Sequence, residues 1–268
     1  MIKATLILGG HVNGYNLIRE LYYFGVREII LFDYSDSIAR WSNKIKYYKE
    51  IDRSKESLLK NINLLREKYA KILIIPTNDL ELEYLEEIYG QINDKCFVPF
   101  NPETIIDSLN KIYQYKICEQ INIPYPKSIT LSKFQDIDEI QKLLFPILIK
   151  PVKRKDINDK DIFRNIFIKG PDELEKSKET IAIIIKKGTE LIVSEYVPGP
   201  DSNIYAFSCF RSPQGNIVAS WVGRKLSQYP NANGVFASAS NEFNETVGVQ
   251  GEKLCAAIDG YGFLEPEF

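Results

Sequence analysis

Lys150 ends the apolar run Ile147-Leu148-Ile149 and is followed at once by Pro151. An ammonium that continues a buried strand cannot simply be dehydrated, so it either meets an anion or reaches back to water. Two further cations, Arg224 and Lys225, follow Gly223 at the end of another apolar run, where a negatively charged reacting group could be held. In the last segment, period-two alternation sets Glu265 and Glu267 on one strand face and Leu264, Pro266 and Phe268 on the other. Paired acids on one face suit a divalent cation, and a solvent-facing strand terminus is the plainer alternative. A fourth stretch is of a different kind. The run from Leu191 to Val197 is broken by Pro198-Gly199-Pro200 and followed by Asp201. Prolines there leave backbone N–H and C=O groups without ladder partners at a fixed bend, and such a bend can pair with the edge of a flat, polar-rimmed ring.

These groups need a scaffold large enough to hold them. With 268 residues, 44% apolar and 12% aromatic, the chain can build two cored domains. Its 34 basic and 36 acidic residues give a net charge of -2, so no global field attracts nucleic acid or anionic lipid. The longest apolar runs fall well short of the ~20 residues of a membrane span, and the N-terminus has no signal-peptide pattern, so a cytoplasmic protein is expected. Cys96, Cys118, Cys209 and Cys255 are scattered without a C-x-x-C pair, and His11 is the one histidine. That spacing predicts four unpaired thiols and no zinc site.

The positioning elements follow in order. Ala4 to Leu8 reads as a strand ending in Gly9-Gly10, then Leu17, Ile18, Leu21 and Phe24 recur at helical spacing, Gly25 closes that helix, and Glu28 to Asp33 is a strand ending in an acid. Gly9 and Gly14 fit the outer positions of a dinucleotide fingerprint, with Asp33 about 20 residues on, but His11 occupies the central position, where a side chain obstructs pyrophosphate. The alternative is a tight turn packing a helix on a sheet. Two more helix–strand cycles reach Val98, so four strands alternate with helices and a parallel sheet is expected. Asn78 and Glu81 read as a helix cap, and Asp79 either touches a substrate or merely starts that helix. Arg40-Trp41-Ser42 and the tyrosine-rich stretch Lys46 to Lys49 predict a surface turn and an edge strand without assignable chemistry. From Ile105 to Ile121 a single helical face is predicted, stopped by Pro124 and Pro126, with the domain boundary near residue 103. Lys153, Arg154 and Lys155 either neutralise phosphate or form a solvated face. Pro171 opens a helix that Gly188 ends, an antiparallel hairpin turns around Ser212 to Gly215, and Asn244 caps the last helix.

Taken together, Lys111 before a helix that ends in Asn122-Ile123-Pro124-Tyr125-Pro126, then Lys150-Pro151, the Glu195 to Asp201 hinge, Arg224-Lys225 and Glu267 resemble, in order and spacing, the ATP-grasp ligases. The resemblance is nearest to the carboxylate–amine ligase branch that includes D-aspartate ligases and carbamoyl-phosphate-synthase-like enzymes. It implies an α/β protein: a Rossmann-like preceding domain with a parallel sheet over residues 1–103, then an α+β ATP-grasp fold of two lobes over 104–268. It implies that Lys111 and Lys150 bind nucleotide phosphates, that the main chain of Glu195, Tyr196 and Val197 pairs with adenine, and that Asp201 holds the ribose. Arg224 and Lys225 then act on the transferring group, and Glu267 binds Mg2+ or Mn2+. Asn122 stands where the family often has glycine, Pro266 where it has valine, and residues 152–161 contain no glycine where the family's phosphate loop is glycine-rich.

The implied reaction activates a small-molecule carboxylate with ATP and joins it to an amine through an acyl phosphate. In the family a second metal-binding glutamate, an asparagine and an arginine lie in a further strand, which is not found before Phe268. The expectation is therefore an incomplete ligase site with little turnover, completed by further chain or by a separate chain, with a homodimer also open. Two rivals stand beside it: a nucleotide-binding module without catalysis, and an NAD-linked oxidoreductase built on Gly9, Gly14 and Asp33.

Overall fold

The computed structural model describes residues 3–152, 162–163, 165–229 and 235–268. The cationic stretch Lys153 to Lys155 therefore lies outside the described residues. The chain divides into two compact units, Met1–Ile106 and Asp107–Phe268.

In the first unit the strands are β1 (Lys3–Leu8), β2 (Ile29–Asp33), β3 (Tyr47–Glu50), β4 (Lys71–Pro76) and β5 (Cys96–Phe97), and the helices are α1 (Val12–Tyr23), α2 (Lys55–Lys68) and α3 (Asp79–Tyr89). All the pairings are parallel, and the order is β3-β2-β1-β4-β5. The tyrosine-rich stretch forms an edge strand, as expected, beside β2 and makes the sheet five-stranded. Strand alternation accounts for the layers. Ile7, Ile29, Leu31 and Ile75 pack with Ile18 of α1, while Leu6, Leu8, Ile30, Ile72 and Ile74 point to the other face and are buried as well. Burial on both faces is what an all-parallel sheet requires.

The second unit has two antiparallel sheets. Helices α4 (Ile105–Leu109) and α5 (Lys111–Gln120) precede β6 (Ser128–Leu131), β7 (Ile147–Pro151), β8 (Ile166–Ile168), α6 (Pro171–Lys186) and β9 (Leu191–Glu195). The first sheet runs β6-β9-β7-β8. Its inward residues Leu131, Ile147, Ile149, Ile168, Leu191 and Val193 form one core with Leu174, Ile181, Ile184 and Ile185 of α6. The second sheet runs β12-β11-β10-β13, from β10 (Tyr205–Arg211), β11 (Ile217–Tyr229), β12 (Val235–Ser240) and β13 (Gly262–Leu264). Helix α7 (Glu245–Ala257) covers one face of it, with Val247 and Cys255 against Phe207, Cys209 and Val222. The phenyl ring of Phe207 fills the place a side chain at Gly251 would take, so the helix lies close on the sheet.

The helix expected over 105–121 is interrupted at Asn110. Its side-chain oxygen accepts from the N–H groups of Ile112 (2.9 Å) and Tyr113 (3.4 Å), which starts α5 afresh with Lys111 as its first residue. At the other end Asn122 takes φ 57°, Ile123 N–H donates to Cys118 C=O (2.8 Å) and Asn122 N–H to Glu119 C=O (3.3 Å). This is a Schellman cap, sealed by Ile123 packing with Cys118. Asparagine tolerates the left-handed conformation that β-branched residues resist. Asn122→Gly should therefore leave stability within about 0.5 kcal/mol in urea unfolding, whereas Asn122→Val should lower it by roughly 1 to 2 kcal/mol. Equal stability of the two variants would remove the cap from this account.

Candidate functional site

The end of β9 departs from a regular ladder. Glu195 N–H donates to Lys127 C=O (2.9 Å), with no return bond among the described residues. Tyr196 N–H donates to Pro146 C=O (2.9 Å), and Pro146 has no N–H with which to return one. Val197 follows at 69% exposure, with no backbone partner recorded among the described residues, and Pro198 cannot extend the ladder. Glu195 points its carboxylate away from this bend, to Leu144 N–H (2.9 Å), and so anchors the segment leading into β7. Tyr196 stacks edge-on against Phe167 of β8, with ring centroids 5.0 Å apart.

Lys150 lies in β7 between the buried Ile149 and Pro151 and is only half-buried. Alternation turns it and Leu148 away from the α6 core, toward the face that carries Phe167 and, through the pairs Leu148–Ser194 and Lys150–Ile192, Ser194 and Ile192. Lys111 sits exposed at the first turn of α5.

On the second sheet, register divides the remaining residues between two faces. Ala206 pairs with Gly223 on one side and Glu267 on the other, so these three share a row. Lys225, two residues beyond Gly223, faces the same way. In the next row Ser208 pairs with Trp221 and donates to Glu265 Oε2 (2.7 Å). Leu264 and Phe268 pack on the α7 side, so Glu265 and Glu267 share the open face. Arg224 does not join Lys225. It pairs with Tyr205 on the α7 side, where its Nη1 meets Glu242 at 3.3 Å and Tyr205 donates to the same carboxylate at 3.2 Å. Adjacent residues of a strand point to opposite faces, so the two cations expected together are separated.

Lys225 is 3% exposed, its Nζ lies 4.9 Å from the Phe236 ring, and no carboxylate pairs with it among the described residues. Asp201 begins a short turn after the bend, and its Oδ2 accepts from Gln228 Nε2 at 2.5 Å. The sequence pattern passes over Gln228, because strict alternation from Lys225 would send it to the other face. Register shifts between Lys225 and Gln228 reverse that. No group of three or more His, Cys, Asp or Glu among the described residues forms a metal cage. Glu265 and Glu267 are the carboxylates that β13 and its extension place on the open face, and one oxygen of Glu265 already accepts from Ser208.

No family model matches the chain. It is 20% identical over 265 residues to a D-aspartate ligase of Enterococcus faecium, covering 90% of this chain and 61% of that protein. Among solved structures, an ADP complex of N5-carboxyaminoimidazole ribonucleotide synthetase superposes with a TM-score of 0.73 at 14% identity, over 99% of this chain and 65% of that one. An L-amino acid ligase of Bacillus licheniformis superposes with a TM-score of 0.68 at 14% identity, over 99% and 63%. The fold is that of the ATP-grasp ligases. The chain thus spans about three fifths of the length of the curated ligase it matches. Two antiparallel sheets, each backed by helix on one face, are the ATP-grasp arrangement seen here in residues 107–268. No helix among the described residues is long and apolar enough to cross a membrane. The four cysteines are buried and free, and Cys209 and Cys255 face each other at 4.0 Å.

The glycine turn of the first unit is closed on itself. Asp33 is 5% exposed and accepts from Gly10 N–H (2.7 Å) and Tyr34 N–H (2.8 Å). The space beside Gly9, at φ 86°, is filled by Thr77 and Glu81, and a side chain at Gly14 would strike Gly9 C=O. Asn78 Oδ1 caps α3 by accepting from Glu81 N–H (3.2 Å). Glu81 itself, 1% exposed, accepts from Thr77 N–H and Asn78 Nδ2, both at 2.9 Å. Burial outweighs these donors and pushes its carboxyl up to about 7 from an ordinary 4.5. Between those values the folded state holds a proton that the unfolded state has released. The contribution is therefore fully present below about 4.5 and is lost as pH rises through about 7, a change on the order of 3 kcal/mol. Relative to Glu81→Gln, which cannot ionise, the wild type should lose thermal stability from pH 5 to pH 8. Parallel melting curves for the two across that range would contradict this.

Proposed function

We propose that residues 107–268 bind ATP on the open faces of the two sheets and that the protein is an ATP-dependent ligase joining a carboxylate to an amine. The observation that carries the reading is the end of the β9 ladder. The carbonyl of Glu195 and the N–H of Val197, two residues apart and past the last return bond, offer one acceptor and one donor on the same side of an extended chain. An adenine edge offers the complement. The neighbouring face, with Leu148, Phe167 and Tyr196, supplies apolar surface for the ring.

Asp201 then meets the ribose. Lys111 and Lys150 hold phosphate oxygens, and Lys225 meets the transferring phosphoryl group. Among the described residues no carboxylate pairs with the buried Lys225 ammonium, whereas Arg224 meets Glu242, and an incoming anion would stabilise such an ammonium, which supports Lys225 rather than Arg224 in that role. Arg224 acts on the scaffold: besides Glu242 it donates from Nε to Ser202 C=O at 2.5 Å, in the turn that carries Asp201. Glu267 holds Mg2+ or Mn2+, which neutralises charge on the phosphates when bound. In the reaction, a carboxylate oxygen of the first substrate bonds to the γ-phosphorus as ADP leaves. The amine lone pair then attacks the acyl carbon, phosphate leaves and a proton is released. The chain's own cations stabilise the charge on the transferring oxygens. The D-aspartate ligase and the L-amino acid ligase, which the chain is similar to in sequence and in fold, support this reaction class.

The nucleotide site is tested by thermal shift with ATP and with NADH. ATP should stabilise the protein, and stabilisation by NADH alone would overturn the proposal. Lys150→Ala should weaken ATP by about 1.5 to 3 kcal/mol in calorimetry while leaving adenosine nearly unchanged. An equal loss for both ligands would move Lys150 off the phosphates.

A further inference from the structure

We propose that Gln228 is a positioning residue that turns Asp201 into a reader of the ribose hydroxyls, an inference that rests on the nucleotide site above. Gln228 is 9% exposed whereas Asp201 is exposed, and the 2.5 Å bond from Nε2 to Oδ2 joins a rigid strand to a surface turn. With Oδ2 occupied, the carboxylate is fixed in rotation and Oδ1 is left as the acceptor for a diol. The turn beneath it is held from β11 at two further points: Arg224 Nε on Ser202 C=O (2.5 Å) and Lys225 N–H on Ile204 C=O (2.8 Å).

The backbone goes to some length to make this contact. Pairing skips Leu226 on β11 and Ala237 on β12, so that Lys225 pairs with Ala239, Ser227 with Ser238 and Gln228 with Phe236. Two bulges within four residues place Lys225 and Gln228, three apart, on one face. The chemistry of the residue type also fits. A lysine or arginine at this position would neutralise Asp201, and a carboxylate would repel it. An amide orients the acid and leaves its full charge for the sugar, where a charged acceptor makes the stronger hydrogen bond. Preorganising the acid in this way reduces the ordering cost when nucleotide binds.

The test is calorimetry of the 268-residue protein with ATP, 2′-deoxy-ATP and 3′-deoxy-ATP. The wild type should bind ATP about tenfold more tightly than the analogue lacking the hydroxyl that Asp201 contacts. Gln228→Met, similar in volume but without a donor, should bring ATP down to the level of that analogue while the affinity for the analogue itself changes less than about twofold. Asp201→Ala, at an exposed position, should cause the same collapse, and the double variant should add nothing further. Failure of the wild type to bind ATP would overturn the nucleotide site itself. Equal binding of all three nucleotides by the wild type would overturn the reading of the sugar. A wild type that discriminates, with a Gln228→Met protein that still does, would overturn the role of Gln228 alone. Where the methionine variant does not fold, Gln228→Asn, one methylene too short for the bond, must show the same loss.

Discussion

A β-ladder ends where one of its strands has no N–H to give, and the second unit is arranged around that constraint. Pro146 accepts from Tyr196 and cannot donate back, Pro198 prevents β9 from running on, and Pro266 interrupts the last strand between Leu264 and Glu267. At the hinge the consequence is a pair of unspent main-chain groups at a fixed position. In the last strand it is different: Glu267 is retained by a single bridge to Ala206, with Phe268 and Tyr205 exchanging both bonds beside it (2.9 and 2.8 Å). The acid thus sits on a short stretch pinned from one side, with Leu264 and Phe268 as its apolar footing on α7.

Face assignment decides which charges can meet. Arg224 and Glu242 are 33% and 45% exposed, and an ion pair that wet contributes little to stability. The bond from Arg224 to Ser202 C=O matters more to the site, since it holds the turn bearing Asp201 against β11. Lys225 is in the opposite situation, enclosed beside an aromatic ring on the face that carries Glu267. Gly223 contributes to that face in a way its backbone angles do not reveal: the indole of Trp221 folds over it and occupies the volume any side chain there would need.

What the sequence discloses here is mostly what is local. The caps at Asn78 and Asn244 act over three residues and were legible from residue type, as was Gly25 at the end of α1. The left-handed Asn122 was legible too, because few residues other than glycine accept that conformation. The break at Asn110 escaped the periodicity, since a cap inside an apolar helical pattern does not alter the pattern. Alternation placed Glu265 and Glu267 on one face, yet applied to Arg224 and Lys225 the same rule separates them. Gln228 was out of reach for a further reason. A bulge arises from how two strands twist and pair, so its position is written jointly in β11 and β12 and in neither alone.

The glycine turn of the first unit shows how one spacing rule can serve two physical ends. An acid some 20 residues after a glycine pair identifies a dinucleotide fold only if the carboxylate is free to meet a sugar. Asp33 has one oxygen on Gly10 N–H and the other on Tyr34 N–H, at 5% exposure. The cofactor's place above Gly9 is filled by the protein's own Thr77 and Glu81, which extend the order of β4 and α3 into the crevice between β1 and β4. With each oxygen on a loop N–H and the side chain buried, that acid presents neither oxygen to a ligand. Gly9, Gly14 and Asp33 therefore act as a set in packing α1 onto the sheet, whereas Asp201 is exposed and accepts from Gln228 through one oxygen.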